Sequence, residues 1–219
     1  VPSDDNLMVR AARLLKEKAG CDHCGVDINI DKKLPMGGGL GGGSSDAATT
    51  LVALNQLWGL GFSKKKLAAL GLQLGADVPV FVHGTAAWAS GVGENLQPIN
   101  LPEPWFLVVM PGCQISTAEI FSDPQLTRDS NPITMRHFFA GEGNNVCEPV
   151  VCKRYPEVFD ALNWLSQFSS ARMSGTGACI FAAFDSEREA CHVLKLLPEK
   201  WKGFVGKGRN QSPLIGIVN

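Results

Sequence analysis

Residues 35–50 read PMGGGLGGGSSDAATT, with six glycines around Leu40, then two serines, an aspartate and the start of an apolar segment. Because glycine has no Cβ, a loop this rich in glycine can adopt positive φ and let an anion approach the main chain. The residues that follow predict a helix, whose first N–H groups and dipole favour negative charge. The run therefore predicts a phosphate-binding loop, with a flexible glycine linker as the alternative.

The flanks of this glycine run favour the phosphate loop over the linker. Upstream, Val26, Ile28 and Ile30 alternate with polar residues, which predicts a half-buried strand. Downstream, Ser44 and Ser45 are helix-capping residue types, and alanines and leucines follow at helical spacing. A linker has no need to join a strand so closely to a helix.

Two common kinds of phosphate loop do not fit. The run has no Gly-Lys-Ser/Thr, so it is not a P-loop. Gly37, Gly39 and Gly42 satisfy G-x-G-x-x-G, the fingerprint of a dinucleotide fold. That fold needs an acidic residue about 20 positions later, and residues 51–75 contain no Asp or Glu. A helix predicted over residues 63–74, with Ser63 as its N-cap, also occupies the place of the expected strand.

Composition limits the class of protein. The chain has 219 residues, 45% of them hydrophobic, which is enough for one large or two small domains. A net charge of −1 and the lack of a basic stripe argue against a nucleic-acid partner. No apolar run approaches ~18 residues and no signal peptide is recognisable, so we expect a cytoplasmic protein without a membrane segment.

The seven cysteines are irregularly spaced, which argues against a disulfide framework and for a reducing compartment. Cys21-Asp-His-Cys24 invites a metal or redox interpretation. A zinc site needs a second pair of ligands at a regular spacing, and none follows. We therefore expect an ordinary loop between the first helix and the strand after it, and the role of Cys21 and Cys24 stays open.

The remaining pattern mixes helices and strands without βαβ alternation, which predicts an α+β fold. Asp4 and Asp5 are expected to cap the first helix, and residues 122–145 to form a mobile connection. Strands are predicted over residues 86–89, 106–110, 180–184 and 203–206. Helices are predicted over residues 135–140, 147–153, 157–168 and 186–197.

Three stretches together resemble the motifs of one enzyme family, the GHMP kinases. They are the glycine run with Pro35 and Ser-Ser-Asp-Ala-Ala, the segment LGADVPVF at residues 74–81, and MSGTGAC at residues 173–179. The resemblance extends from Asp5 to Leu214. It implies a two-lobed GHMP kinase fold, with an incomplete ribosomal-protein-S5-like N-terminal lobe (1–100) and a ferredoxin-like α/β C-terminal lobe (101–219).

The resemblance implies a kinase that uses ATP and Mg²⁺. With GVGE at residues 91–94 and PGCQIST at 111–117, the wording is most similar to one branch of the family. That branch phosphorylates the 2-hydroxyl of a cytidine-diphosphate-linked methylerythritol in the non-mevalonate isoprenoid pathway. The alternatives are a GHMP kinase for another small molecule, such as homoserine or mevalonate, and a non-catalytic nucleotide-binding module.

The resemblance also assigns roles to residues. Asp77 would be the catalytic base; capping of a neighbouring turn is its alternative role. Ser44 or Ser45 could offer a hydroxyl to Mg²⁺ or to a phosphate, or could simply cap the helix. The expected ATP-binding residues are Pro35, Met36, Gly37, Gly38, Gly39, Leu40, Gly41, Gly42, Gly43, Ser44 and Ser45. The expected substrate-binding residues are Val92, Thr117, Phe121, Gly175, Thr176 and Gly177.

Some of these roles have competing explanations, and the chain departs from the family at two places. Phe121 could be a core phenylalanine rather than an aromatic that stacks on cytosine, and Gly175–Gly177 could be a tight turn into a strand. Ala118 stands where the family tends to have proline. The family's opening Pro-Ala-Lys strand motif, which carries a catalytic lysine that pairs with the aspartate, is not found here. We therefore expect a fragment that is inactive alone.

Overall fold

The computed structural model describes residues 5–217, which divide into two compact units. The first unit comprises residues 1–33, 41–101 and 209–219, and the second comprises residues 34–40 and 102–208. No helix in the described part of the chain is long and apolar enough to cross a membrane.

The first unit is mainly helical. Its helices are α1 (Leu7–Ala19), α2 (Gly42–Leu57), α3 (Lys64–Leu72) and α4 (Val78–His83). Strands β1 (Ala87–Ser90) and β2 (Asn95–Pro98) form an antiparallel hairpin. The core contains fully buried side chains from all four helices, including Leu15, Leu51, Leu67 and Val78. Burial of this apolar surface is what holds the short helices together.

Residues late in the chain complete the first unit. The side chain of Asn210 accepts a hydrogen bond from Leu101 N at 2.9 Å and donates one to Leu101 O at 2.7 Å. The backbone of Asn210 accepts from Ala86 N at 2.8 Å, and Ser212 N donates to Gly84 O at 2.8 Å. A 3₁₀ turn at Pro213–Gly216 follows. Residues 209–216 therefore belong structurally with segments more than a hundred positions earlier.

The second unit is a four-stranded antiparallel sheet with helices packed against it. Its strands are β3 (Trp105–Met110), β4 (Ala171–Met173), β5 (Ile180–Phe184) and β6 (Lys202–Lys207), in the order β4-β5-β3-β6. Central β3 pairs Val108 with Phe181 on one side and with Phe204 on the other. The helices are α5 (Thr117–Phe121), α6 (Met135–Phe139), α7 (Cys147–Arg154), α8 (Pro156–Ser166) and α9 (Glu187–Lys195). This order and connectivity are ferredoxin-like, as expected.

The strand predicted around Val26, Ile28 and Ile30 is wrong. Residues 25–33 form neither helix nor strand, and Val26 and Ile28 are 40% and 36% exposed. Alternation stabilises a strand only when a neighbouring strand accepts its hydrogen bonds. In the described part of the first unit, β1 and β2 pair with each other and no strand pairs with residues 25–33.

Two predicted helix caps are also wrong. Asn6, rather than Asp5, caps α1, because its side chain accepts a hydrogen bond from Met8 N at 2.9 Å; Asp4 lies outside the described residues. Gly41, with φ +66°, is the N-cap of α2, which makes no side-chain capping bond. Ser44 and Ser45 therefore lie inside the first turn rather than before it.

The expectation of free thiols fails at one pair, because Cys21 and Cys24 form a disulfide. The chain turns directly after α1, with Cys24 N donating to Cys21 O at 3.1 Å, and this turn brings the two Cα atoms within 5.4 Å. Such a separation suits a disulfide. With both sulfur atoms in the disulfide, neither Cys21 nor Cys24 of the Cys21–His23–Cys24 cluster offers a thiolate to a metal ion, and His23 Nε2 lies 3.5 Å from Cys21 Sγ.

Candidate functional site

The first part of the glycine run packs directly on the second glycine motif. Within the second unit, Ser174 Oγ donates to Gly39 O at 2.6 Å, and Cys179 N donates to Gly38 O at 3.1 Å. A Cβ placed on Gly39, whose φ is +73°, would lie only 2.1 Å from Ser174 O. The two predicted motifs therefore form one structure in which residue 39 must be glycine.

This part of the run presents unused backbone donors. Among residues 5–217, no acceptor is found for the N–H groups of Gly37, Gly38, Gly39 and Leu40. Gly37 and Gly39 have positive φ while Gly38 does not. Successive N–H groups in such an alternating backbone form a concave nest that suits an anion. That these N–H groups bind phosphate stays a prediction.

A network of polar contacts shapes the second glycine motif, defined here as the Ser174 loop (residues 174–179). Gly177 N donates to Ser174 O at 2.8 Å, which closes the turn. The Asn145 side chain donates to Met173 O at 3.2 Å and to Gly175 O at 2.7 Å. Sequence reasoning missed Asn145, which no local pattern marks, and it included Ser174 in the MSGTGAC motif without giving that serine a role.

Two predicted substrate-binding residues meet beside this loop. The hydroxyl oxygens of Thr117 and Thr176 are 2.9 Å apart, within hydrogen-bonding distance. Phe121 lies four positions after Thr117 on α5, so the two side chains share a face of that helix. The ring of Phe121 is 56% exposed, so the alternative role as a core residue is wrong.

Burial raises the pKa of the Cys179 thiol to about 11, and nearby Cys113 adds to the effect. Cys179 is 1% exposed. A Cβ on Gly38 would lie 2.7 Å from Cys179 Sγ, so the thiol packs against the back of the glycine run. A neutral, buried thiol has a packing role rather than a reactive one.

The second part of the glycine run, Gly41–Ser45, forms the start of α2 in the first unit. The first helical hydrogen bond is Ser45 N to Gly41 O, at 2.8 Å. The N–H groups of Gly42, Gly43 and Ser44 have no acceptor among the described residues, as expected for a helix N-terminus. Neither serine hydroxyl has a hydrogen-bond partner in that part of the chain, so both can reach a ligand.

The segment with Asp77 lies beside the start of α2. A Cβ on Gly75 would lie 3.8 Å from Ser44 Oγ, and one on Gly41 would lie 3.0 Å from the Phe81 ring. Gly41 therefore lets the N-terminus of α2 approach α4 closely. This packing places the candidate base and the candidate phosphate-binding N-terminus on neighbouring segments of one unit.

The carboxylate of Asp77 is exposed, although its neighbours in LGADVPVF are mostly apolar. Asp77 occupies the N-cap position of α4, but its side chain accepts no capping hydrogen bond. Its alternative role as a cap is therefore not observed. Within residues 5–217, this carboxylate has no ion-pair or hydrogen-bond partner, and it is open to a ligand from solvent.

Val92 is held next to this segment. A Cβ on Gly93 would lie 2.5 Å from Ala76 O, so the β1–β2 turn packs on the residue before Asp77. Val92 N donates to Glu94 Oε2 at 2.7 Å, and the Val92 side chain is 69% exposed. The side chain of Val92 is therefore exposed, while the backbone around it is held by the Glu94 hydrogen bond and by packing on Ala76.

Comparison with known proteins identifies both parts of the chain. Residues 6–85 match the GHMP kinases N terminal domain, and residues 134–203 match the GHMP kinases C terminal domain. The 4-diphosphocytidyl-2-C-methyl-D-erythritol kinase of Nitrosococcus oceani is 60% identical over 218 residues, which cover 100% of this chain and 78% of that protein. The kinase of the same name from Pseudomonas aeruginosa is 59% identical, covering 98% of this chain and 76% of that one.

Comparison with solved structures finds kinases with a similar fold. A crystal structure of 4-(cytidine 5'-diphospho)-2C-methyl-D-erythritol kinase matches with a TM-score of 0.78 and 33% identity, covering 93% of this chain and 78% of that one. A homoserine kinase from Cytophaga hutchinsonii matches with a TM-score of 0.67 at 17% identity, covering 96% of this chain and 78% of its own. The second likeness shows the shared fold alone.

Proposed function

This chain belongs to the GHMP kinase family, and we propose that it uses ATP to phosphorylate the 2-hydroxyl of 4-diphosphocytidyl-2-C-methyl-D-erythritol. The reaction belongs to the non-mevalonate route to isoprenoid precursors and would take place in the cytoplasm. Residues 1–100 would act as the N-terminal GHMP kinase domain and residues 101–219 as the C-terminal one.

One observation carries the proposed binding of ATP. The first part of the glycine run is held against the Ser174 loop so closely that Gly39 has no room for a side chain, and the N–H groups from Gly37 to Leu40 have no acceptor within residues 5–217. Pro35, Met36 and the residues from Gly37 to Ser45 would hold the phosphates through these N–H groups and the start of α2. Phosphoryl transfer depends mainly on this kind of positioning and charge stabilisation.

Asp77 would act as the general base. It accepts the proton of the 2-hydroxyl as the hydroxyl oxygen attacks the γ-phosphorus, the bond from that phosphorus to the bridging oxygen breaks, and ADP leaves. An exposed carboxylate without a competing partner supports this role, because a general base must reach the proton that it removes.

Mg²⁺ would neutralise part of the charge of the triphosphate. The hydroxyl oxygens of Ser44 and Ser45 fit this ion, because Mg²⁺ prefers oxygen ligands and neither hydroxyl is otherwise engaged among the described residues. Asp46, one residue further, is already paired with Lys32. The serines are therefore the better candidates of the three.

The substrate-binding residues would include the exposed side chains of Val92, Thr117 and Phe121. We propose that the Phe121 ring stacks on cytosine, and that Thr117, Thr176, Gly175 and Gly177 bind the rest of the substrate together with Val92. Support comes from the exposure of Phe121 and from the contact between the two threonines. Stacking on an aromatic ring contributes ~1–3 kcal/mol per base.

The test is ADP release from enzyme purified with the family's Pro-Ala-Lys strand segment in place, because residues 1–219 alone are expected to be inactive. The acceptor is 4-diphosphocytidyl-2-C-methyl-D-erythritol, homoserine or mevalonate. We expect turnover with the cytidine-linked substrate and little with the other two. Preference for homoserine or mevalonate would replace the proposed substrate with that of another GHMP kinase. ATP binding without turnover on any acceptor would contradict the kinase proposal and favour a nucleotide-binding module.

A further inference from the structure

Phe121 is exposed although the residues around it are anchored in the core. Ile120, just before it, is 0% exposed, and Leu126, just after the following turn, is 7% exposed. The Phe121 side chain is 56% exposed. The two buried neighbours fix the backbone on either side of it, so the ring points to solvent. We call residues 121–128 the Phe121 turn.

An ion pair between the buried carboxylate of Asp123 and the half-exposed Arg154 anchors this turn to α7. Asp123 is 4% exposed and pairs with Arg154 on α7. Its Oδ1 atom also accepts a hydrogen bond from Gln125 N at 2.7 Å. A buried carboxylate is retained only when it is paired and hydrogen-bonded, so Asp123 fixes the middle of the turn relative to α7.

The Arg128 side chain forms hydrogen bonds with the backbone of this turn. Its Nη2 atom donates to Phe121 O at 2.6 Å and to Asp123 O at 3.1 Å, and its Nη1 atom donates to Leu126 O at 3.1 Å. One planar guanidinium thus satisfies three carbonyl groups, including the carbonyl of the aromatic residue itself. A cation is also favoured at this place, the C-terminal end of α5.

We propose that Arg128 is a positioning residue for the substrate, which holds the Phe121 backbone so that the ring is ready to stack on cytosine. The inference rests on the proposed function, because it assumes that Phe121 contacts the substrate. Helix α5 has only five residues, too few to be stable without tertiary contacts. Without Arg128, the turn would be less ordered before binding, and the free energy needed to order it would weaken substrate binding.

The experiment compares Arg128→Ala, Arg128→Lys and Arg136→Ala in steady-state kinetics. Arg128→Ala should raise the KM for 4-diphosphocytidyl-2-C-methyl-D-erythritol by about 2- to 10-fold, the effect of ordering one or two groups on binding. Arg128→Lys should give a smaller rise, because an ammonium group lacks the planar fork. For all three variants, kcat and the KM for ATP should stay near the wild-type values.

Arg136→Ala is the matched control. Arg136 is exposed on α6 in the same unit, and its side chain makes no hydrogen bond, ion pair or cation–π contact with the described residues. Removing it deletes the same charge without touching the Phe121 turn. An equal rise in substrate KM for Arg128→Ala and Arg136→Ala would assign the effect to charge and overturn the inference.

A double-mutant cycle with Phe121→Ala tests whether Arg128 acts through Phe121. If it does, adding Arg128→Ala to Phe121→Ala should change substrate KM by less than about twofold, because coupled residues are not additive. Full additivity would mean that Arg128 contacts the substrate itself, which contradicts a positioning role. If Arg128→Ala raises the KM for ATP and for substrate equally, the role is general stability and the inference is wrong.

The two proposals fail in different ways. If the wild-type enzyme does not phosphorylate the cytidine-linked substrate, the proposed function is wrong, whatever Arg128 does. If the wild type does so and Arg128→Ala, still folded by its melting temperature, has unchanged substrate KM, only the inference about Arg128 is overturned.

Discussion

Replacing Gly39 with alanine should weaken ATP binding more than any other single methyl group added to the glycine run. The new Cβ would lie 2.1 Å from Ser174 O and 3.0 Å from Gly177 O, whereas real Cβ atoms almost never approach within 3.0 Å. The backbone of residue 39 must therefore move away from the Ser174 loop. That movement would also break the 2.6 Å hydrogen bond from Ser174 Oγ to Gly39 O.

The size of the effect follows from two terms. A non-glycine residue at φ +73° costs ~1–2 kcal/mol, and one lost hydrogen bond costs ~0.5–1.5 kcal/mol. Together they amount to ~1.5–3.5 kcal/mol, which reduces the population of the binding-competent loop by about 10- to 400-fold. The apparent Kd of a non-hydrolysable ATP analogue should rise by the same factor, as measured by isothermal titration calorimetry.

Gly59→Ala is the matched control for backbone strain. Gly59 has φ +64°, but a Cβ there would meet nothing within 4 Å. This variant should lose ~1–2 kcal/mol of unfolding free energy and bind the ATP analogue like the wild type. A Gly39→Ala protein that is folded and binds the analogue within twofold of the wild type would refute the reasoning about the two packed loops.

Three other predictions concern single groups. Asp77→Asn should lower kcat by at least ~10²-fold while the exposed control Asp27→Asn leaves it unchanged; a near-normal kcat would make Asp77 structural. Burial raises the pKa of the Cys179 thiol to about 11, so the unfolded chain loses this proton first as pH rises. The free energy of unfolding should therefore fall between pH 9 and 11, by up to ~2.7 kcal/mol from this thiol. In Cys179→Ala the fall should be less steep; equal slopes of unfolding free energy against pH for the two proteins, measured with urea, would contradict this. Asn55 is 5% exposed, and its side chain accepts a hydrogen bond from Phe62 N at 2.9 Å and donates one to Phe62 O at 3.1 Å. Asn55→Ala should therefore lower the free energy of unfolding in urea by ~2–3 kcal/mol without altering affinity for the ATP analogue. A smaller loss would mean that water replaces the amide.

Elements with a local signal could be predicted from the sequence. Ser63 was expected to cap α3, and its Oγ does accept from Lys66 N at 3.3 Å. The strand predicted over residues 180–184 matches β5. Strand β2 was missed because its sequence, NLQP, has a single apolar side chain besides its proline, and β4 was missed because three residues are too few for a periodic pattern. The alternation around Val26 failed for the opposite reason, since it had the pattern but no partner strand among the described residues.

The candidate site divides in the same way. The glycine run was recognisable because its composition and its position before a helix point to one local function. Its partner Ser174 lies 135 positions away, and no local pattern predicts a hydrogen bond over that distance. The residue at which the loop ends and α2 begins could not be predicted from the sequence either. Serines are common caps, but Gly41 takes the cap position because its positive φ redirects the chain.

The pairing of Asn210 with Leu101, across 109 positions, has a consequence for how the protein is made. On the ribosome, residues 84–101 emerge well before residue 210, and at ~5–20 residues per second the interval between them is roughly 5–20 seconds. During this interval the N–H group of Ala86 and both backbone groups of Leu101 lack their native partner Asn210, whereas the sheet of the second unit, residues 105–207, is translated without interruption. The order of synthesis therefore differs from the order of the units along the chain: the unit that begins first is finished last. Chaperone dependence during translation should accordingly concentrate in the helical unit rather than in the sheet.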